Sequence, residues 1–184
     1  MPSYQADLIA HYRAHWQSRP TLLWSSRPSV QHIAATFQVL EFAPSPQRTM
    51  WTYATCGMSA EHVDPLLEVH LLSANQDLNL VDLLTAVAHY HQTEHALGVG
   101  HTVNFGIPWQ PGSRCSYGLL SLPYLDGPTL ETLHIGGRHV SCSWLVPITK
   151  AERDFKQEAG LEALEELFDQ QPLDYLAPLR PSVV

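Results

Sequence analysis

An α+β fold is predicted for this 184-residue chain: a twisted, mostly antiparallel or mixed sheet flanked by helices. Three observations predict it. Segments with apolar residues at helical spacing and segments rich in β-type residues both recur along the chain. At 45% hydrophobic and 15% charged residues, the composition supplies a sizeable core for one compact domain over residues 1–184. No internal repeat or low-complexity linker divides the chain, so helices packed on one sheet are the simplest architecture.

Leu8, Ile9, Tyr12 and Trp16 recur at helical spacing and Pro20 closes the segment, which predicts an amphipathic helix within residues 1–20 that covers the sheet. HIAATFQVLEF (32–42) and TMWTYATC (49–56), separated by the turn-forming APSPQ, read as two strands, and LLEVHLLS (66–73) as a third. Asn79 and Asp82 have the spacing of a capping box, opening a helix with Leu80, Leu83, Leu84 and Val87 on its apolar face. That helix is expected to reach about Leu97 and stop at Gly98.

Residues 98–114 hold four glycines and two prolines and read as a loop with room for one short strand. YGLLSL, LETLHI and HVSCSWLV follow as strands, the last two joined by a tight turn at Gly136-Gly137. Thr149 and Glu152 form a second capping-box pattern, starting a helix that Gly160 interrupts before LEALEELF resumes it. The tail, residues 172–184, has too much proline to continue as helix.

Bulk charge narrows the function. Eighteen acidic against ten basic residues give a formal net charge of -8, the wrong sign for a general nucleic-acid or anionic-membrane binder. The first twenty residues lack the apolar core of a signal peptide, and no stretch approaches the ~20 apolar residues of a membrane span. Cys56, Cys115 and Cys142 are odd in number and contain no C-x-x-C, so neither a disulfide framework nor a cysteine zinc site is expected, and a reducing cytoplasm fits.

His91-Gln92-Thr93-Glu94-His95 matches the H-x-x-E-H pattern of one class of zinc peptidases. Two imidazoles one helical turn apart can share a metal, yet the same face carries Leu84 and Ala88, so the histidines equally extend an amphipathic helix. A zinc enzyme also needs a third ligand, for which no downstream glutamate has a distinctive spacing, and the reading adopted is no metal and no cofactor, with a zinc hydrolase as the minor alternative. There is no G-x-S-x-G, P-loop or G-x-G-x-x-G. Cys56, in a β-type run, reads as a small buried apolar residue, and Trp109 in IPWQPG either anchors a partner or folds back as a lid on the core.

In order and spacing, MWTYATCGMS (50–59), AVAHYHQTEHALGVGHTV, SWLVPITKAERDF (143–155), GLEALEELF and the closing RPSVV resemble the suppressor of fused (SUFU) family from about residue 45 onward. The resemblance implies a non-enzymatic protein-binding module. Eukaryotic relatives clamp a short extended peptide of Gli-type transcription factors between this domain and a second one, a form of strand addition, and the chain ends where the first domain would. Stand-alone bacterial chains of this kind resemble immunity proteins of polymorphic toxin systems.

By position, Tyr90 matches a tyrosine that helps line the family's peptide site, and Gly98 to His101 matches the loop after it. Gly100 stands where the eukaryotic proteins carry an acidic residue, which speaks against recognition of a Gli-like peptide. The resemblance thus makes Tyr90 and His101 expected partner contacts, and Trp109 joins them on the anchor reading of its own loop. The expected partner is a protein, with a basic toxin domain as the specific expectation and an extended peptide of a host protein, bound by a regulatory or scaffold module, as the alternative.

Overall fold

The computed structural model describes residues 4–25, 33, 36–59, 66–171 and 173–184. The chain opens with helix α1 (Tyr4–Trp16), whose Leu8, Tyr12 and Trp16 fall one turn apart and are buried. Each such side chain contributes about 2 kcal/mol by leaving water. Gln17 ends the helix in the left-handed region, with φ 48°, and donates its N–H to the Arg13 carbonyl at 3.0 Å.

Eight strands follow in one mixed sheet. They are β1 (Thr21–Leu23), β2 (Gln38–Phe42), β3 (Trp51–Cys56), β4 (Leu66–Ser73), β5 (Thr102–Asn104), β6 (Cys115–Ser121), β7 (Thr132–Ile135) and β8 (Arg138–Thr149). Their order across the sheet is β1-β2-β3-β4-β8-β6-β5, with β7 paired to the free part of β8. Every pairing is antiparallel except that of β4 with β8 at the centre, which is parallel.

Alternation along the strands assigns the two faces. Val39, Tyr53 and Leu71 point to one face and are covered by α2 (Asn79–Thr93) through Leu80, Leu84 and Val87. Leu40, Phe42, Ala54 and Cys56 point to the other and meet Leu8, Tyr12 and Trp16 of α1. Further along that second face, Leu72, Trp144 and Val146 are covered by Leu164 and by α4 (Lys150–Ala159), α5 (Leu161–Gln170) and the tail. The short helix α3 (Pro128–Glu131) leads into β7. Among the described residues, no helix is long and apolar enough to cross a membrane.

Several expectations need correction. The strand read over 32–42 is formed from residue 38 onward, and most of its first part lies outside the described residues. β1 was not foreseen, being three residues at the sheet edge with little burial. LETLHI is split, its first two residues closing α3. The Gly136-Gly137 turn forms as expected, both residues at positive φ (57° and 80°) as a two-residue hairpin turn requires.

The Asn79–Asp82 capping box does not form. Leu78 is the N-cap and has no side-chain cap bond, while Asp77 Oδ1 accepts the Asn79 N–H at 3.0 Å and Asp82 accepts the Ser25 hydroxyl at 2.6 Å. Helix α2 also stops at Thr93 rather than near Leu97, because buried His91 captures the Leu97 N–H on Nδ1 at 2.9 Å and draws the chain back over the helix end. The second capping box does form: Thr149 Oγ1 accepts the Glu152 N–H at 3.2 Å, and the Glu152 carboxylate accepts the Thr149 N–H at 2.7 Å.

Candidate functional site

β5 is the last strand of the sheet, and among the described residues it pairs with β6 alone. The Phe105 N–H reaches Ser116 O, and Leu120 N–H reaches His101 O, each at 2.9 Å. Backbone direction alternates in a strand, so the N–H and C=O groups of Thr102 and Asn104 point away from β6. Among the described residues, a short row of main-chain donors and acceptors is thereby left open to an incoming segment.

Beside this edge runs a groove of about 830 Å³. One wall is the side of α2, where Asp82, Leu83, Ala86, Val87, Tyr90 and Glu94 recur at helical intervals. β5 and the loop after it form the opposite lip, ending in Ile107, which is 56% exposed. The far wall comes from Tyr117 of β6 and Arg153 of α4: the guanidinium lies 4.5 Å from the ring centroid, and Nη2 donates to the Tyr117 hydroxyl at 3.3 Å. Arg153 Nε lies 2.7 Å from Asp154 Oδ1, which holds the side chain from its outer side.

Tyr90 lines the groove and packs partly against the core, its ring stacked on His95 at 5.7 Å between centroids. Trp109, expected either as a partner anchor or as a lid on the core, is 3% exposed, belongs to the core and floors the groove. His101 is exposed at the start of β5 and is not among the groove's lining residues. Arg153, Asp82 and Tyr117 were missed by sequence reasoning. Only the stripe on α2 carried a signal, and it was absorbed into the core reading.

The H-x-x-E-H segment is not assembled as a metal site. His91 faces inward with Nδ1 occupied by the Leu97 N–H, and Nε2 lies 3.5 Å from Ser59 Oγ. His95 lies past the helix end, exposed, against Tyr90. Among the described residues no three His, Cys, Asp or Glu side chains are grouped to hold a metal ion.

One group of titratable side chains perturbed by burial lies away from the groove, beneath α1. Glu68 is fully buried and accepts the Tyr4 hydroxyl at 2.7 Å, the Thr55 hydroxyl at 2.6 Å, and the N–H groups of Gly57 and Met58 at 2.9 and 3.0 Å. Burial pushes its pKa up while these hydrogen bonds pull it down. Burial and then the Glu68 carboxylate push the thiols of Cys56 and Cys142 up to about 12, so both behave as buried apolar groups. Burial brings His70 down to about 4, helped by Arg48 and opposed by Asp126, whose Oδ2 lies 3.6 Å from Nε2.

These features define an α+β protein whose mixed sheet, covered by helices on both faces, opens at one edge into a helix-walled groove. Within that class the chain belongs to the suppressor of fused family, whose model, suppressor of fused protein (SUFU), matches residues 34–181. A SUFU homologue from Neisseria gonorrhoeae FA 1090 is similar at 27% identity, covering 98% of this chain and 97% of that one, with a TM-score of 0.85. The Sufu–Fu complex structure has the same fold at 15% identity, covering 99% of this chain and 93% of that one, with a TM-score of 0.71. Drosophila Suppressor of Fused shares the fold at 14% identity and a TM-score of 0.69, 99% of this chain matching 52% of that one. No curated protein matches the chain in sequence.

Proposed function

We propose that this chain is a non-enzymatic protein-binding module that takes an extended segment of its partner into the α2–β5 groove by strand addition to β5. The outward-facing backbone of Thr102 and Asn104 beside an open groove carries the reading. Its membership of the SUFU family, and the likeness of its fold to a chain solved in the Sufu–Fu complex, support it. In this binding mode Tyr90 contacts the added segment from the α2 wall, Trp109 keeps the floor rigid, and His101 flanks the entrance. Gly100, in the left-handed region at φ 83°, presents its carbonyl to the Lys156 ammonium, so this loop is held without a side-chain carboxylate of its own.

The specific role proposed is that of a cytoplasmic immunity-type protein that neutralises a cognate toxin by stoichiometric binding. A net charge of -8 suits a basic toxin domain, since opposite charge accelerates encounter. Affinity capture of the tagged chain from its native cells at moderate salt, followed by mass spectrometry, tests this. A basic protein recovered in about equal amount, whose toxicity the chain suppresses, is expected. A non-toxic host protein displaced by a short extended peptide would instead assign a regulatory module using the same groove, and a partner whose binding ignores changes to β5 and Tyr90 would overturn the site.

A further inference from the structure

Helix α1 carries a second pair of histidines. His11 and His15 are one turn apart, with ring centroids 4.5 Å apart and ring planes at 60°. His11 Nε2 lies 3.0 Å from the Leu130 carbonyl oxygen, and His15 Nδ1 lies 2.9 Å from the His11 carbonyl oxygen. A carbonyl only accepts, so each of these nitrogens carries the proton and donates it. The tautomer of each neutral ring is thereby set, and the lone pairs fall on His11 Nδ1 and His15 Nε2, which have no hydrogen-bond partner among the described residues. Both rings are half-buried, which limits their motion without closing them off from solvent.

A ring N–H held by a backbone carbonyl, with the other nitrogen free, is the arrangement that orients a metal-ligating histidine. In a tetrahedral site with Zn–N bonds of about 2.0–2.1 Å the two ligand nitrogens stand ~3.3 Å apart, and the two ring centroids here are 4.5 Å apart. The other histidine pairs lack these features. His91 spends its free nitrogen on the Leu97 N–H, and the cross-strand pair His134–His139, 4.4 Å between centroids, has no carbonyl holding either ring among the described residues.

We propose that His11 and His15 form a two-histidine site for a borderline divalent cation of the zinc and nickel class. Asp7 lies one turn earlier on the same stripe but is not grouped with them, so water fills the remaining positions and the site is open and exchangeable. Because His11 also bonds Leu130, a bound cation would tie α1 to the short helix α3 that leads into β7 and raise stability by mass action. This inference is independent of the groove and of the partner.

The test is isothermal titration of tag-free, chelator-stripped protein with Zn²⁺, repeated with Ni²⁺. Wild type is expected to bind one equivalent. His15→Gln is expected to lose ~10-fold or more in affinity, since even changes behind a metal ligand cost about 10–100-fold. The His134→Gln/His139→Gln double variant keeps the site. Melting without metal checks that each variant folds, and in wild type Zn²⁺ should shift the ring signals of His11 and His15 in NMR spectra. No binding at millimolar metal, equal affinity in His15→Gln, loss in the double variant, or ring shifts confined to other histidines would each overturn the assignment.

Discussion

Arg180 meets Glu152 through two hydrogen bonds, Nη1 to Oε1 at 2.6 Å and Nη2 to Oε2 at 2.7 Å, with both side chains buried. The same carboxylate caps α4, and its Oε1 also accepts the Val183 N–H at 3.0 Å. One buried group therefore starts a helix and holds down the chain's last residues.

Arg180→Met is expected to destabilise the fold by about 3–5 kcal/mol, because it strands a buried carboxylate. Adding Glu152→Gln should recover much of the loss, as measured by denaturant unfolding of the single and double variants. Burial alone would raise the pKa of Glu152, but the Arg180 guanidinium and the Thr149 N–H reverse this and hold it below the ordinary range. Its contribution is accordingly present above pH ~4.5 and lost as the pH falls through the lowered value, so Arg180→Met should flatten the acid limb of the stability curve.

His70 works in a different window. A histidine held neutral down to about 4 binds its proton later than it does in the unfolded chain. Stability is full above about pH 6.5 and falls as the pH drops toward 4, by about 3 kcal/mol for a depression of this size. His70→Gln should remove that slope between pH 6.5 and 4 in urea titrations. An unchanged slope would place the titrating group elsewhere.

His91→Phe keeps a ring in the core but leaves the buried Leu97 N–H without its acceptor, an expected cost of about 1–3 kcal/mol. His95→Ala, on an exposed side chain, should stay within about 0.5 kcal/mol. Thermal melts with and without chelator should give the same difference between the two variants if His91 acts by ending α2; a chelator-dependent difference would point to a metal instead.

Thr102→Pro removes an outward-facing N–H of β5 while leaving the bonds to β6 intact. Partner affinity is expected to fall by ~10-fold or more, about 1.4 kcal/mol, with Thr102→Ala close to wild type. Affinity should also fall as salt rises if the partner is basic. Titration calorimetry with the captured partner measures both effects.

The elements legible in the sequence were those decided by local chemistry. Periodicity placed α1 and the long strands, Thr149 and Glu152 announced a helix start, and Gly136-Gly137 announced a turn. What was not legible depends on partners distant in sequence. Asn79 and Asp82 have capping-box spacing, but Asp77 and Ser25 take the bonds. Nothing near Pro172 reveals that Arg180 will find Glu152, and Trp109 could be read as lid or anchor until the core around it was seen. The groove was partly visible, through Tyr90, while Arg153 joins it only because α4 crosses β6.

The parallel pairing of β4 with β8 has a consequence for how the chain is made. Leu66 finds its neighbour at Val140 only after α2, β5, β6, α3 and β7 have been synthesised between them. Until then the meander β1–β4 carries an open inner edge of apolar residues, and β6 has no strand to join it to the rest. During translation, closure waits for β8, which is made after the other strands of the sheet, and this makes the nascent β4 edge the natural place for a chaperone to act.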